Sequence, residues 1–359
     1  MSARAHTGPL AMEPLPFTDL PDSADASTDV DPSGLSRYTP PTWVRSTPRR
    51  RLARVDWPPG TPTLAADPFY ADLIGKISVD SRISRRVHAW ANRARVRILD
   101  SVRPHLGDVD AVLCGSLAAG THIATTDWDV DVAIRAYRGP PEWRTDPDAV
   151  LGDMIRWLRA AIDADVVARP RSVAIKAAGG LVVDVTICWQ PDREGVGVVG
   201  PQQLRSNEEQ VRIDPAFHRD LIAARNASLG NDSAFIKLIR IVKHLNEGWK
   251  AQHGRAPLEP FHVEVLALTA CTRPFELAEG VTDFLRQAAE LVRGPLRYPL
   301  ASEGVVGAAH PAVASAVLEK AAERCEQALF ATDASAAAGI LERVFNPDAS
   351  PRLSRQKPL

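Results

Sequence analysis

Cysteine is scarce in this chain: Cys114, Cys188, Cys271 and Cys325 are its whole complement among 359 residues. They stand far apart, with neither a Cys-X-X-Cys pair nor the Cys/His spacing of a zinc site. Neither a disulfide framework nor zinc is therefore expected, and the four read as reduced core thiols of a cytoplasmic protein. No apolar run approaches the ~20 residues that cross a bilayer, and the N-terminus lacks the apolar stretch of a signal peptide. Membrane insertion is excluded on that reading. Nor is there an excess of one charge: 43 basic and 44 acidic residues give a formal net charge of −1. The molecule as a whole has no polyanion-binding signature, so any affinity for nucleotides must be local. What is plentiful is apolar residue, 45% of the chain, enough for a core. The length suits two domains, or one domain with appendages.

The chemistry concentrates in one run, Val112 to Ile134, VLCGSLAAGTHIATTDWDVDVAI. A short apolar strand ends at Cys114, the chain turns at Gly115-Ser116, and a small-residue loop leads into a strand bearing Asp127, Asp129 and Asp131. Side chains alternate along a strand, so Asp129, Asp131 and Ala133 share one face while Val130, Val132 and Ile134 share the other. The valine face suits a core; the aspartate face does not. Two like charges ~4 Å apart repel by roughly 4 kcal/mol at an effective dielectric near 20, and Asp is depleted in strands. A cation between the carboxylates would relieve this, and an all-oxygen ligand set favours Mg²⁺ or Mn²⁺. Taken alone, an Asp-X-Asp pair is more often the solvent face of an edge strand. Gly115-Ser116 upstream changes that balance. Glycine permits close backbone approach to a phosphate, and serine offers a hydroxyl and an N–H.

These residues resemble a family. Gly115-Ser116 followed by Asp129-Val130-Asp131 is similar to the signature of polymerase-β-type nucleotidyltransferases. The longer string GSLAAGTHIATTDWDVDVAI is most similar to the branch that holds oligoadenylate synthetases, cyclic GMP-AMP synthase and the bacterial CD-NTases. On that likeness Asp129 and Asp131 are the metal-ligand pair, with Asp127 in reserve.

The rest of the chain divides into regions. Residues 1–66 are rich in Pro, Ser, Thr, Asp and Ala without sustained periodicity, which predicts a disordered tail. Within it Arg45 to Arg54, RSTPRRRLAR, lies between Trp43 and Trp57. It reads either as a nucleic-acid patch or, preferably, as a solvated stretch whose tryptophans pack on the folded body. From Val79 to Val102 apolar residues recur at helical spacing (Ile83, Val87, Trp90, Ala94, Ile98, Val102), with Pro104 and Gly107 closing the helix. A second helix is expected over Asp148 to Ile162. Strands follow over Ser172 to Ala177 and Leu181 to Trp189, joined at Gly179-Gly180. Asp184 stands alone inside VVDVTI, opposite the Leu181, Val183, Val185, Ile187 face. A short helix beginning at Asp214-Pro215 and running through Ala224 precedes FIKLIRIVKHLNEGW, where Arg240 and Lys243 project from one face. The remainder is helical in composition.

The resemblance, which covers residues 80 to about 347, gives several of these a role. The strand VVDVTICW is similar to the one carrying the family's third catalytic carboxylate, so Asp184 completes the catalytic and metal-binding set with Asp129 and Asp131. LIRIVKHLN is close to the helix whose lysine meets the nucleotide phosphates, which implies that role for Lys243 and, more weakly, for Arg240. In LEPFHVEVLALT, Phe261 falls where an aromatic can stack on the base, or is simply a core residue. Pro260 replaces a polar residue that contacts the donor phosphates, and it has neither hydroxyl nor N–H. Glu264 reads as a member of a structural ion pair.

The fold expected is α+β: a polymerase-β-like sheet with bracing helices over 67–200, a helical nucleotide-binding lobe over 201–347, a C-terminal tail over 348–359, and the active site in the cleft. The resemblance implies a Mg²⁺- or Mn²⁺-dependent enzyme that joins NTPs (ATP, GTP, CTP or UTP) into a cyclic or linear oligonucleotide messenger. Bacterial anti-phage signalling, a separate effector activated by the product, and an activating ligand or regulatory protein belong to the same expectation. Two alternatives stay open: transfer of a nucleotide to a small molecule, tRNA or protein, and a catalytically silent sensor of nucleotides or RNA.

Overall fold

The computed structural model describes residues 64–124, 128–136, 147–169, 172–177, 181–189, 198–199, 215–230, 233–294, 296–297, 305–306 and 310–346. Asp127, the Gly179-Gly180 turn, the basic run with its flanking tryptophans and the C-terminal tail lie outside them. A short 3₁₀ turn, Leu64–Ala66, leads into helix α1, Asp67–Ile77, with its proline in the first turn.

Helix α2, Ser81–Leu106, is the long amphipathic element foreseen from periodicity. Asp80 caps it by accepting hydrogen bonds from the N–H groups of Arg82 (2.8 Å) and Ile83 (3.2 Å). Val87, Trp90, Ala94, Ile98 and Val102 are buried as expected, whereas Ile83, in the first turn, is 46% exposed. The helix also runs past Pro104 to Gly107, whose φ of 67° ends it. The buried Leu106 holds that extra turn in place despite the proline.

The sheet contains β1 (Val109–Cys114), β2 (Trp128–Ala136), β3 (Asp165–Ala168), β4 (Val173–Lys176), β5 (Leu181–Trp189) and β6 (Val198–Val199). Its order is β1-β2-β5-β4-β3, with β6 also pairing β5. Strand β2 is antiparallel to β1 and parallel to β5, so the sheet is mixed, as expected for this α+β fold. Between β1 and β2, where a loop was expected throughout, Gly115–Ala118 forms a one-turn helix, α3. Helix α4, Pro147–Ala161, packs beside α2 on one face of the sheet. That face presents Val130, Val132, Ile134, Val183, Val185 and Ile187, all in one buried cluster. Burial of such side chains is worth about 1.5–3 kcal/mol each.

A helical lobe follows: α5 (Pro215–Ser228), α6 (Ala234–His253), α7 (Pro260–Ala270), α8 (Leu277–Leu291), α9 (Pro311–Leu329) and α10 (Ala334–Phe345). A small hairpin, β7 (Leu296–Arg297) with β8 (Val305–Val306), interrupts it where only helix was expected. The lobe has its own core around Phe235, Leu238, Phe284 and Phe345. Tyr70, Leu73 and Ile77 of α1 belong to that core, although the expected division grouped α1 with the sheet. Among the described residues no helix is long and apolar enough to cross a membrane.

Candidate active site

The polar face of the sheet opposes the one covered by α2 and α4. Asp131 on β2 and Asp184 on β5 are register partners across the parallel ladder, which places their Cα atoms about 4.8 Å apart. Asp129, two residues before Asp131, occupies the same face and is exposed; Asp131 and Asp184 are half-buried. The three carboxylates named from the sequence are thus brought to one end of two adjacent strands. Asp131 carries the electrostatic consequence: burial, then the carboxylates of Asp184 and Asp129, push it up from 3.8 to about 7. Burial likewise raises Asp184, against the lowering influence of Arg169.

Gly115 lies against this cluster. Cys114 and Asp131 are register partners in β1 and β2, so α3 begins beside Asp131. A Cβ on Gly115 would overlap Asp131 Oδ2, and the backbone there has a φ of 68°. Only glycine satisfies both conditions without strain. Ser116 follows in the same turn, half-buried, and its carbonyl accepts the Thr121 N–H at 2.9 Å.

Lys243 reaches the site from α6. It is 7% exposed, and its ammonium donates to Glu264 Oε1 at 2.7 Å and to Thr121 Oγ1 at 3.0 Å. Its charge also favours ionised Asp131. Glu264 on α7 receives a further bond from Thr121 Oγ1, and His218 Nε2 of α5 stands 2.7 Å from its Oε2. A carboxylate only accepts, so the histidine donates. Burial would raise Glu264, but hydrogen bonds and the adjacent charges of His218 and Lys243 hold it at about 2. The ion pair expected of Glu264 is therefore present, and Lys243 is its partner. Thr121 and His218 have no counterpart in the sequence reading. A threonine six residues after Gly115 and one histidine in a short helix carry no local signal of convergence.

Two other candidates are placed elsewhere. The Arg240 guanidinium donates to the Gly120 carbonyl at 3.0 and 2.7 Å and to Ser78 Oγ at 3.2 Å. It ties the loop after α3 to the end of α1. Phe261 is half-buried, with its ring 4.9 Å from that of His218. Pro260 has a structural reason: it is the first residue of α7, next to the Glu259 and His262 capping box.

The donor set suits Mg²⁺ or Mn²⁺. It is all oxygen, and three carboxylates crowd where burial already raises Asp131, a charge cluster that a divalent cation relieves. As the side chains stand, no three Asp, Glu, His or Cys among the described residues are gathered into a ligand shell. Asp184 is engaged instead by Arg169 and Ser172.

No family model matches the sequence, and no curated protein matches it. Solved structures do match in fold. Escherichia coli MS115-1 CdnC, in complex with HORMA-deltaN, is 17% identical with a TM-score of 0.61, over 79% of this chain and 97% of that one. The Bradyrhizobium diazoefficiens CD-NTase CdnG, in complex with GTP, is 16% identical with a TM-score of 0.60, over 79% and 96%. Vibrio cholerae DncV, a cyclic AMP-GMP synthase in complex with the linear intermediate 5′-pppA(3′,5′)pG, is 13% identical with a TM-score of 0.57, over 76% and 92%. On these matches the chain shares the mixed α+β fold of CdnC, CdnG and DncV.

Proposed function

We propose that this chain is a CD-NTase enzyme: a Mg²⁺- or Mn²⁺-dependent nucleotidyltransferase that joins NTPs into a cyclic or linear oligonucleotide messenger and releases pyrophosphate. The observation that carries the reading is the in-register pair Asp131 and Asp184, with Gly115 backed against the Asp131 carboxylate. A structural role gives no reason to crowd three carboxylates on one sheet face beside a mandatory glycine. The fold likeness adds support, since one similar protein holds GTP and another is a cyclic AMP-GMP synthase.

Asp129, Asp131 and Asp184 would hold the divalent ion, which would supply charge neutralisation at the triphosphate and lower the pKa of a ribose hydroxyl. Gly115 leaves room for a phosphate to approach the backbone, and Ser116 supplies donors in the same turn. Lys243 provides positive charge beside Asp131, and its bonds to Thr121 and Glu264 fix its position. Arg240 holds the loop that carries Thr121. Phe261, half-buried with its ring 4.9 Å from that of His218, would be the residue for base stacking. The sheet and helical lobes, divided near residue 200, would then bind the NTPs in the cleft between them. An accessory regulatory protein is part of the reading, as CdnC is found with HORMA-deltaN, and so is a separate effector in bacterial anti-phage signalling.

The test is incubation with Mg²⁺ or Mn²⁺ and labelled ATP, GTP, CTP and UTP, singly and together, beside an Asp129→Ala/Asp131→Ala variant. A phosphatase-resistant product made by the wild type and absent from the variant is the expected outcome. Equal product from both would remove the carboxylates from the mechanism. Product only when an outside acceptor is added would make the enzyme a modifier of that acceptor.

A further inference from the structure

Both oxygens of Asp184 are already engaged. Oδ2 accepts from Arg169 Nη1, and Oδ1 accepts from Ser172 Oγ at 3.3 Å. Arg169 follows β3 and Ser172 precedes β4, and the Arg169 N–H donates to the Ser172 carbonyl at 2.9 Å. Since β4 lies between β3 and β5, the guanidinium reaches past one strand to find its carboxylate. Within the ion pair Arg169 is 42% exposed and Asp184 15%.

The two donors differ in kind. Ser172 is neutral: it orients the carboxylate and leaves its charge intact. Arg169 is a permanent cation, since a guanidinium does not deprotonate in proteins. It neutralises the same charge that a divalent ion would use, and two cations on one small carboxylate repel each other. Arg169 has an outlet, because a side chain this exposed can swing into solvent without opening the core. Its partner has none, being fixed on a strand paired on both sides.

We propose that Arg169 is a displaceable counter-cation on the third carboxylate, competing with the divalent ion for Asp184 and releasing it when the ion binds. The inference rests on the metal-dependent reading given above. Asp129 and Asp131 would capture the ion first, and Asp184 would join as the guanidinium leaves. Ion affinity is thereby coupled to the residues that end β3 and begin β4, outside the nucleotide-binding lobe.

The test is a Mn²⁺ titration without NTP, with free Mn²⁺ followed by electron paramagnetic resonance. It compares wild type, Arg169→Gln and Arg169→Lys, and repeats Arg169→Gln with Asp184→Asn; Asp131→Asn serves as a reference. Arg169→Gln is expected to bind Mn²⁺ about fivefold more tightly, the scale of a partly exposed ion pair. Arg169→Lys keeps the charge and should stay near wild type, and the gain should vanish in the Asp184→Asn background. Weaker or unchanged binding by Arg169→Gln overturns the proposal, as does an equal gain in Arg169→Lys. If Mn²⁺ binds and Asp131→Asn weakens it while Arg169→Gln changes nothing, the proposal alone fails. If wild type and every variant bind no Mn²⁺, the proposal and the metal-dependent reading fail together.

Discussion

A methyl group on Gly115 would enter the space of the Asp131 carboxylate, and its backbone φ of 68° disfavours any side chain. Gly115→Ala therefore meets two penalties, a left-handed backbone and an overlap with β2, together about 2–4 kcal/mol. A thermal melt should show the loss, and trimming the neighbour in Gly115→Ala/Asp131→Ser should recover part of it. An unchanged melting temperature would mean that Gly115 does not abut Asp131. Asp131 itself predicts a pH effect. Its folded pKa of about 7 lies above the ordinary 3.8, so the folded state binds the extra proton. The associated stability is fully present below about 3.8 and is lost as pH rises through about 7. In EDTA at pH 8, Asp131→Asn should thus melt above wild type, and the gap should close towards pH 4. Added Mg²⁺ should raise the wild-type melting temperature and leave Asp131→Asn nearly unmoved. A variant less stable than wild type at pH 8 would contradict this account of the crowded carboxylates.

At the scale of elements, the Glu264 carboxylate fastens α7 to α6 through Lys243, to α5 through His218 and to the loop after α3 through Thr121. Removing one member of a buried ionic cluster typically costs about 3–5 kcal/mol, because the remaining charge has lost its partner. Glu264→Gln should show a loss of that order at pH 7 in urea unfolding. The folded pKa of about 2 lies below the ordinary 4.5, so this stabilisation is present above about 4.5 and is lost as pH falls towards 2. The difference between variant and wild type should shrink across that window; a constant difference would assign the effect to packing. These contacts also mark where sequence reading stops. Asp129, Asp131 and Gly115 lie within one short run, and strand alternation alone puts the two aspartates on one face. Thr121 and Glu264 are 143 residues apart, and His218 and Glu264 are 46 apart. No periodicity links such positions. The four-residue β3 was missed for a related reason: it offers only two alternations, and its pairing with β4 defines it. Arg169 stands just beyond that strand, so its contact with Asp184 was missed with it.

Over the whole molecule, the described residues form two large apolar cores, one of sheet with α2 and α4, the other of helices with α1. Helices α2 and α4 were legible from apolar periodicity, but the attachment of α1 to the second core was not, because its own pattern fits either partner. Polar contacts join the lobes. Arg240 on α6 donates to the Gly120 carbonyl and to Ser78 Oγ, and the Ala124 N–H donates to the Ile77 carbonyl at 2.8 Å. The loop between α3 and β2 is thus held by the helical lobe, while the carboxylates it leads to sit on the sheet. Arg240→Ala leaves the Gly120 carbonyl without those donors, and charged hydrogen bonds of this kind contribute about 1.5–3 kcal/mol. Since that energy is local to one loop, the effect should be local too. Amide exchange at Thr121 and Ala124 should quicken about tenfold or more, with the protected amides of α4 unchanged. If exchange rose equally in α4, Arg240 would be supporting global stability rather than the joint. Unaltered exchange at Ala124 would remove Arg240 from the joint altogether, leaving the Ala124–Ile77 backbone bond and the contacts among Lys243, Glu264 and Thr121 to fasten it.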